Sequence, residues 1–407
     1  MGCVGFVTVT KRPVEELEFS DALKIGCLHS LERLFARHEI PHDTHSVINM
    51  WEEVAMFGHL HVLEWLNTLI FRFKLTSSDA CQQAARHGHF EVLKWLVANG
   101  CSLEEDTSTT CCLVAESGNL EMLQWVRAAG CSWNEQTCAF AALSGNLEML
   151  QWARANGCPW FPNTCSRAAQ GGHLEVLRWA YENGCQMLED TCLCAAGGGH
   201  LEVLQWARAN GCQCDADTCS YAARCGHLKV LQWSRANGCP WDEETCSNAD
   251  YGGHLEFLQW ARANGCPWDE RTCSSAAYGG HLEVLQWARA NGCLWDEETC
   301  SNADYGGHLE FLQWARANGC PWDERTCSSA AYGGHLEVLQ WARANGCLWD
   351  EETCVSATGE GHVEVVKWAW GNGCPWGEKT LKMIKMTRDP VLEEWARANG
   401  APETFKV

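Results

Sequence analysis

The chain has 407 residues, 46% of them hydrophobic, with a formal charge of −22 and 28 cysteines. Phosphate backbones are held by basic groups that displace counterions, so this acidic balance excludes general nucleic-acid binding. No apolar run approaches the roughly 20 residues that a membrane-spanning helix needs.

The first 18 residues are expected to be a flexible N-terminal segment. Its start, MGCVGF, places Gly2 and Cys3 where acyl groups attach, but Phe6 stands where the myristoylation pattern wants Ser or Thr. It also lacks a sustained apolar stretch with a small-residue cleavage site, which argues against a secretory signal. The cytosol or the nucleus is the expected location, with reduced thiols.

Residues 19–78 read as degenerate N-terminal capping repeats. Within them Asp21 to Ile40 carries Gly26 and Leu28 where later units have Gly and Leu. From 79 to 380 one pattern repeats. Tryptophan recurs every 27 residues from Trp125 to Trp395, preceded by Trp65 and Trp95 at steps of 30, and the 54-residue block Trp241 to Leu294 returns unchanged as Trp295 to Leu348. A short fixed period marks a solenoid, whose units share a core only by stacking.

Each unit predicts two short helices. In Trp241 to Gly265, Asp242 is a good N-cap, Glu243 and Glu244 suit the positive end of a helix, and Gly252-Gly253 ends it. A second helix follows His254 and stops at Asn264-Gly265. Leu255, Phe257, Leu258, Trp260 and Ala261 form its apolar stripe, with Glu256, Gln259 and Arg262 opposite. This places the Trp260 column in the core. A second tryptophan set, including Trp133, Trp160, Trp241 and Trp268, falls in the inter-repeat loops, where packing within the chain is expected rather than stacking with bases or sugars.

The run AAYGGHLEVLQWARANGC resembles the helical part of the ankyrin repeat, A-A-x-x-G-H-L-E-V-V-x-L-L-L-x-x-G-A, and recurs through most of the chain. The unit is about six residues shorter than the usual ankyrin length of about 33, and the D-x-x-G-x-T-P-L-H region that builds the hairpin is what it lacks. The resemblance implies an all-α fold: an α-solenoid of stacked helix-turn-helix ankyrin-like repeats with degenerate terminal caps. It further implies that first helices line a concave face and second helices a convex back.

Residues 381–407 are expected to be C-terminal capping helices. Asp389-Pro390 begins the last of them, and Lys382, Lys385 and Arg388 make the one before it more basic than its predecessors.

Most cysteines fall in two columns, one following Asn-Gly (Cys101 to Cys374) and one mostly following Thr (Cys81 to Cys354). In the regular repeats a cysteine of the first column precedes one of the second by seven residues, and neither C-x-x-C nor H-x-x-x-H occurs. That spacing is poor for zinc. Members of one column, about 10 Å apart in neighbouring repeats, are too distant for a disulfide. Leu381 and Ala401 occupy the same columns in the last unit, so reduced cysteine is expected to pack as a small hydrophobe. The irregular clusters Cys111-Cys112, Cys192 with Cys194, and Cys212 with Cys214 are where metal or oxidation would be sought. The histidine column, His254 and its equivalents, becomes Asn119, Asn146 and Asp389 elsewhere, which suits a helix cap or hydrogen-bonding post rather than a catalytic base.

Variation between repeats points to a binding surface. The column two places before the second glycine contains Arg86, Glu116, Gln170, Arg224, Tyr251, Tyr278, Tyr305 and Tyr332, four of the chain's six tyrosines among them. Tyrosine joins apolar area to a polar tip and suits interfaces. Asp250 and Asp304 are expected to add charge beside this line. The expected function is a monomeric, non-catalytic scaffold that binds a basic protein or peptide along its concave face. It needs no cofactor or metal and engages neither nucleic acid nor membrane. The alternative is a metal-binding or thiol-based protein using the irregular cysteine clusters.

Overall fold

The computed structural model describes residues 19–36, 44–69, 78–101, 103 and 108–399. The expected flexible segment 1–18, with Gly2 and Cys3, lies outside these, as does Ala401. The chain divides into two compact units, Met1–Gln213 and Cys214–Val407. Among the described residues every regular element is an α-helix, from Phe19–Ile25 to Pro390–Ala398, and no strand occurs.

The helices come in pairs. In the repeat beginning at Trp241 they are Glu243–Tyr251 and Leu255–Ala263. Asp242 is extended (φ −143°, ψ −168°) and its carboxylate accepts from the Glu244 amide at 3.1 Å, as an N-cap should. Gly253 closes the turn between the helices with φ +72°. Gly265 ends the second helix at φ +85°, while the Asn264 side chain donates to the Trp260 carbonyl at 2.8 Å.

Within each unit, first helices pack on first helices of adjacent repeats and second helices fold back on their own first helix. The buried stripe of Leu255–Ala263 is Phe257, Leu258 and Ala261, joined by Cys246, Ala249 and Cys266. Trp260 and its equivalents are only half-buried and flank this core, which corrects the core placement expected of them. Their helical position is three residues after Phe257, at the rim of the stripe rather than its centre. There Trp260 meets the loop residue Trp241 edge to face at 6.1 Å, and Trp287 meets Trp268 likewise at 5.9 Å. Arg262 of the preceding repeat lies over the Trp268 ring, its guanidinium carbon 4.0 Å from the centroid. The loop tryptophans are thus intramolecular staples, as expected.

The histidines tie one repeat to the next. His254 makes no cap bond to its own helix; its Nε2 lies 3.1 Å from the carbonyl oxygen of Arg224, at the end of the preceding first helix. Because a carbonyl only accepts, Nε2 carries the proton. Where asparagine or aspartate fills this column, true capping appears. Asn119 accepts from the Met122 amide at 2.9 Å, and Asp389 accepts from Val391 and Leu392. Asn146 does both, capping Met149 and donating to the Gly118 carbonyl at 2.7 Å. The early unit Phe19–Ile25 with Leu28–Ala36 uses the same device, His59 Nε2 meeting the Lys24 carbonyl at 2.9 Å. At the other end Pro390–Ala398 starts with the expected Asp389 cap and proline in the first turn.

Candidate interaction face

The variable column occupies the C-terminal ends of the first helices. In the second unit Tyr251, Tyr278, Tyr305 and Tyr332 form a continuous stack, with ring centroids 5.6, 5.4 and 5.5 Å apart and planes inclined by 20 to 23°. Each ring keeps about two-fifths of its surface exposed, from 38 to 42%. The stack is held from behind by the histidine column. His281, His308, His335 and His362 bond the backbone carbonyls of the four tyrosines in turn at 3.0 to 3.2 Å. The backbone at each tyrosine is therefore tied to the next repeat, while the rings rest against one another in the stack.

Arg224 caps one end of the stack, 5.1 Å from the centroid of the Tyr251 ring. At the other end Glu360 accepts a hydrogen bond from Tyr332 and its charge pushes that phenol's ionisation up. Tyr278 is shifted the same way, chiefly by Tyr305 beside it. A groove of about 410 Å³ runs beside the first two rings, bounded by Arg224, Ser247, Asn248, Tyr251, Ser275, Tyr278 and Asn302. Beyond it, at the opposite ends of the first helices, Glu244, Glu270, Glu298, Glu324 and Glu352 are exposed. Arg271 partly offsets them, 2.8 Å from Asp269 and 3.7 Å from Glu244.

The remaining members of the column lie in the first unit. Arg86 and Glu116, one repeat apart, form a 4.0 Å ion pair, and exposed Gln170 accepts from Arg167 at 2.8 Å. No aromatic stack joins them.

Asp250 and Asp304 do not add charge to the tyrosine line. Both are completely buried, no hydrogen bond reaches either carboxyl oxygen, and desolvation raises their pKa well above the ordinary carboxylate value. They occupy a column filled by buried alanine in neighbouring repeats, Ala277 and Ala331 among them. One residue before an outward-facing tyrosine, a helix turns its side chain by about 100° toward the adjacent repeat.

The structure also pairs what sequence spacing kept apart. The two cysteine columns meet inside several helix pairs, across twenty residues rather than seven: Cys81 Sγ donates to Cys101 Sγ at 2.7 Å, and thiol hydrogen bonds join Cys246 with Cys266 and Cys300 with Cys320. The signal was present in the period of 27, since seven residues from one column to the next leave twenty within the helix pair. The irregular clusters behave differently. Cys112 donates to Asn134, Cys194 is half-buried, and no group of three His, Cys, Asp or Glu among the described residues is placed to hold a metal.

Helix pairs of this kind, stacked at a 27-residue period within each unit, build an ankyrin-like α-solenoid fold. No family model and no curated protein matches the sequence. Among solved structures it is similar to the human ASB11 ankyrin repeat domain, at 16% identity and a TM-score of 0.36, over 45% of this chain and 98% of that one.

Proposed function

We propose that the protein is a non-catalytic interaction scaffold, and that its second unit binds a basic, extended protein segment along the first-helix ends. The observation that supports this most is the anchored, half-exposed tyrosine stack. Rigid aromatic rings give contact area at little entropic cost, which is why tyrosine concentrates at binding hot spots. The exposed glutamates at the far ends of the same helices supply the charge that would attract lysine or arginine side chains. Arg86, Glu116 and Gln170 extend the binding column within the first unit. A monomer in the cytosol or nucleus, without cofactor, is the working form of this reading.

The test is fluorescence anisotropy with labelled peptides rich in lysine and arginine, set against acidic peptides of equal length. Binding of the basic set is expected to weaken with salt and to fall at least tenfold in Tyr278→Ala/Tyr305→Ala, whose fold is checked by circular dichroism. Equal binding of acidic peptides, or an unchanged affinity in the folded double variant, would overturn it.

A further inference from the structure

The tyrosine stack has two unlike ends, and the difference gives this face a direction. At one end Arg224 is exposed, with its guanidinium against the Tyr251 ring. Among the described residues no carboxylate pairs with it, whereas Arg86 in the same column is paired with Glu116. None borders the groove of about 410 Å³ beside it either, where hydroxyls, amides and phenols form the rest of the wall. In a chain with 52 acidic residues against 30 basic ones, an unpaired guanidinium in a groove is the exception. At the other end the cation is replaced by an anion: Glu360 accepts from the Tyr332 hydroxyl, and a hydroxyl hydrogen bond also joins Tyr278 to Tyr305.

The groove also suits a polypeptide backbone. Asn248 commits its Nδ2 to the Glu244 carbonyl at 3.0 Å, and Asn302 commits its own to the Ser274 carbonyl at 3.2 Å. Each Oδ1 is then left to accept from a peptide amide, beside the Ser275 hydroxyl. The end of a helix carries about half a negative charge, which opposes an anion at Arg224. The full charge of the guanidinium outweighs it, and His254 already covers the Arg224 carbonyl at 3.1 Å. Successive spacings of 5.1, 5.6, 5.4 and 5.5 Å carry the line about 22 Å from Arg224 to the Tyr332 ring, roughly seven extended residues at about 3.3 Å each.

We propose that this face captures the free C-terminus of a partner protein, its α-carboxylate on the Arg224 guanidinium, its last residues along the tyrosines and its basic side chains toward Glu360. The proposal rests on the reading of the tyrosine stack as the surface for a basic extended segment, and gives that segment an end and a direction. A guanidinium holds a carboxylate through two parallel N–H···O bonds, so a free terminus is told from its amide, which has one oxygen and no charge. A terminus fits better than an acidic side chain within a longer segment, because the column holds no aromatic residue before Tyr251 and the aromatic line stops there.

The experiment measures anisotropy of amino-terminally labelled heptapeptides on the full chain. One sequence has lysine and arginine in its first half and neutral residues in its second, prepared as the free acid and as the carboxamide; another has the order reversed. The free acid of the first is expected to bind about tenfold tighter than its amide or better, and the reversed peptide more weakly. Arg224→Gln should abolish the difference between acid and amide, and a benzophenone at the amino end should cross-link near Tyr332 and Glu360. Equal affinity of acid and amide, with salt-dependent binding that Tyr278→Ala/Tyr305→Ala still weakens, would overturn the C-terminal site and leave the basic-segment face standing. A difference that persists in folded Arg224→Gln, or cross-links near Arg224 and Tyr251, would overturn it too. Failure of every basic peptide to bind would remove both readings. The comparison of acid with amide on the parent chain decides the matter even where Arg224→Gln fails to fold.

Discussion

Replacing Asp250 and Asp304 by alanine should stabilise the protein. Each carboxyl is wholly buried with neither oxygen hydrogen-bonded, in a column that Ala277 and Ala331 fill without exposure. An unsatisfied buried polar group costs about 1–3 kcal/mol, and alanine at these sites leaves little void because the same slot is closed around alanine one repeat away. The two sites lie two repeats apart and share no partner, so their gains should add, giving about 2–6 kcal/mol for the double variant at neutral pH. The pH dependence has a definite sign. Burial raises the folded-state pKa above the unfolded value of about 3.9, so the folded chain keeps a proton that the unfolded chain releases. The parent protein therefore loses stability as pH rises from about 3.9 through the raised folded value. The variant's advantage should be smallest near pH 3.5 and full once pH exceeds that folded value. Urea denaturation of parent, single and double variants across this range measures it. A double variant that is less stable at neutral pH, or an advantage that does not shrink in acid, would refute the reasoning and mean that the carboxyls have partners.

Trp287→Ala should cost about 2–4 kcal/mol, since it removes a half-buried ring from the core rim and its edge-to-face contact with Trp268; a melt unchanged within error would contradict this. His281→Ala should cost about 1 kcal/mol by removing the bond to the Tyr251 carbonyl. His281→Asn should recover most of that in the same denaturation assay, since Asn146 in this column caps its own helix and donates to the turn-glycine carbonyl of the preceding repeat in place of the histidine's bond. Gly253→Ala should be more damaging than Gly265→Ala. Both glycines have positive φ, which costs alanine about 1–2 kcal/mol, but only at Gly253 would the new Cβ lie 2.6 Å from the His281 ring of the next repeat. Equal thermal shifts for the two would contradict the histidine packing.

The period, the paired helices and their caps were legible in the sequence because each is decided within a few residues. Asp242 caps the amides just after it, Asn264-Gly265 closes the turn just before it, and Asp389-Pro390 starts a helix whatever lies beyond. The position of the tyrosine column at helix ends followed from the same local pattern. What the sequence left open depends on the neighbouring repeat or on the other helix of the pair. The bond from His281 to the Tyr251 carbonyl spans 30 residues, and the contact of Cys81 with Cys101 spans 20. Asp250 looks like surface charge beside Tyr251 until the adjacent repeat covers it, and Trp260 looks like core until the stripe is seen to centre on Leu258. Helical periodicity assigns a face within one helix, but only stacking decides which face is taken out of water and which atoms meet across it.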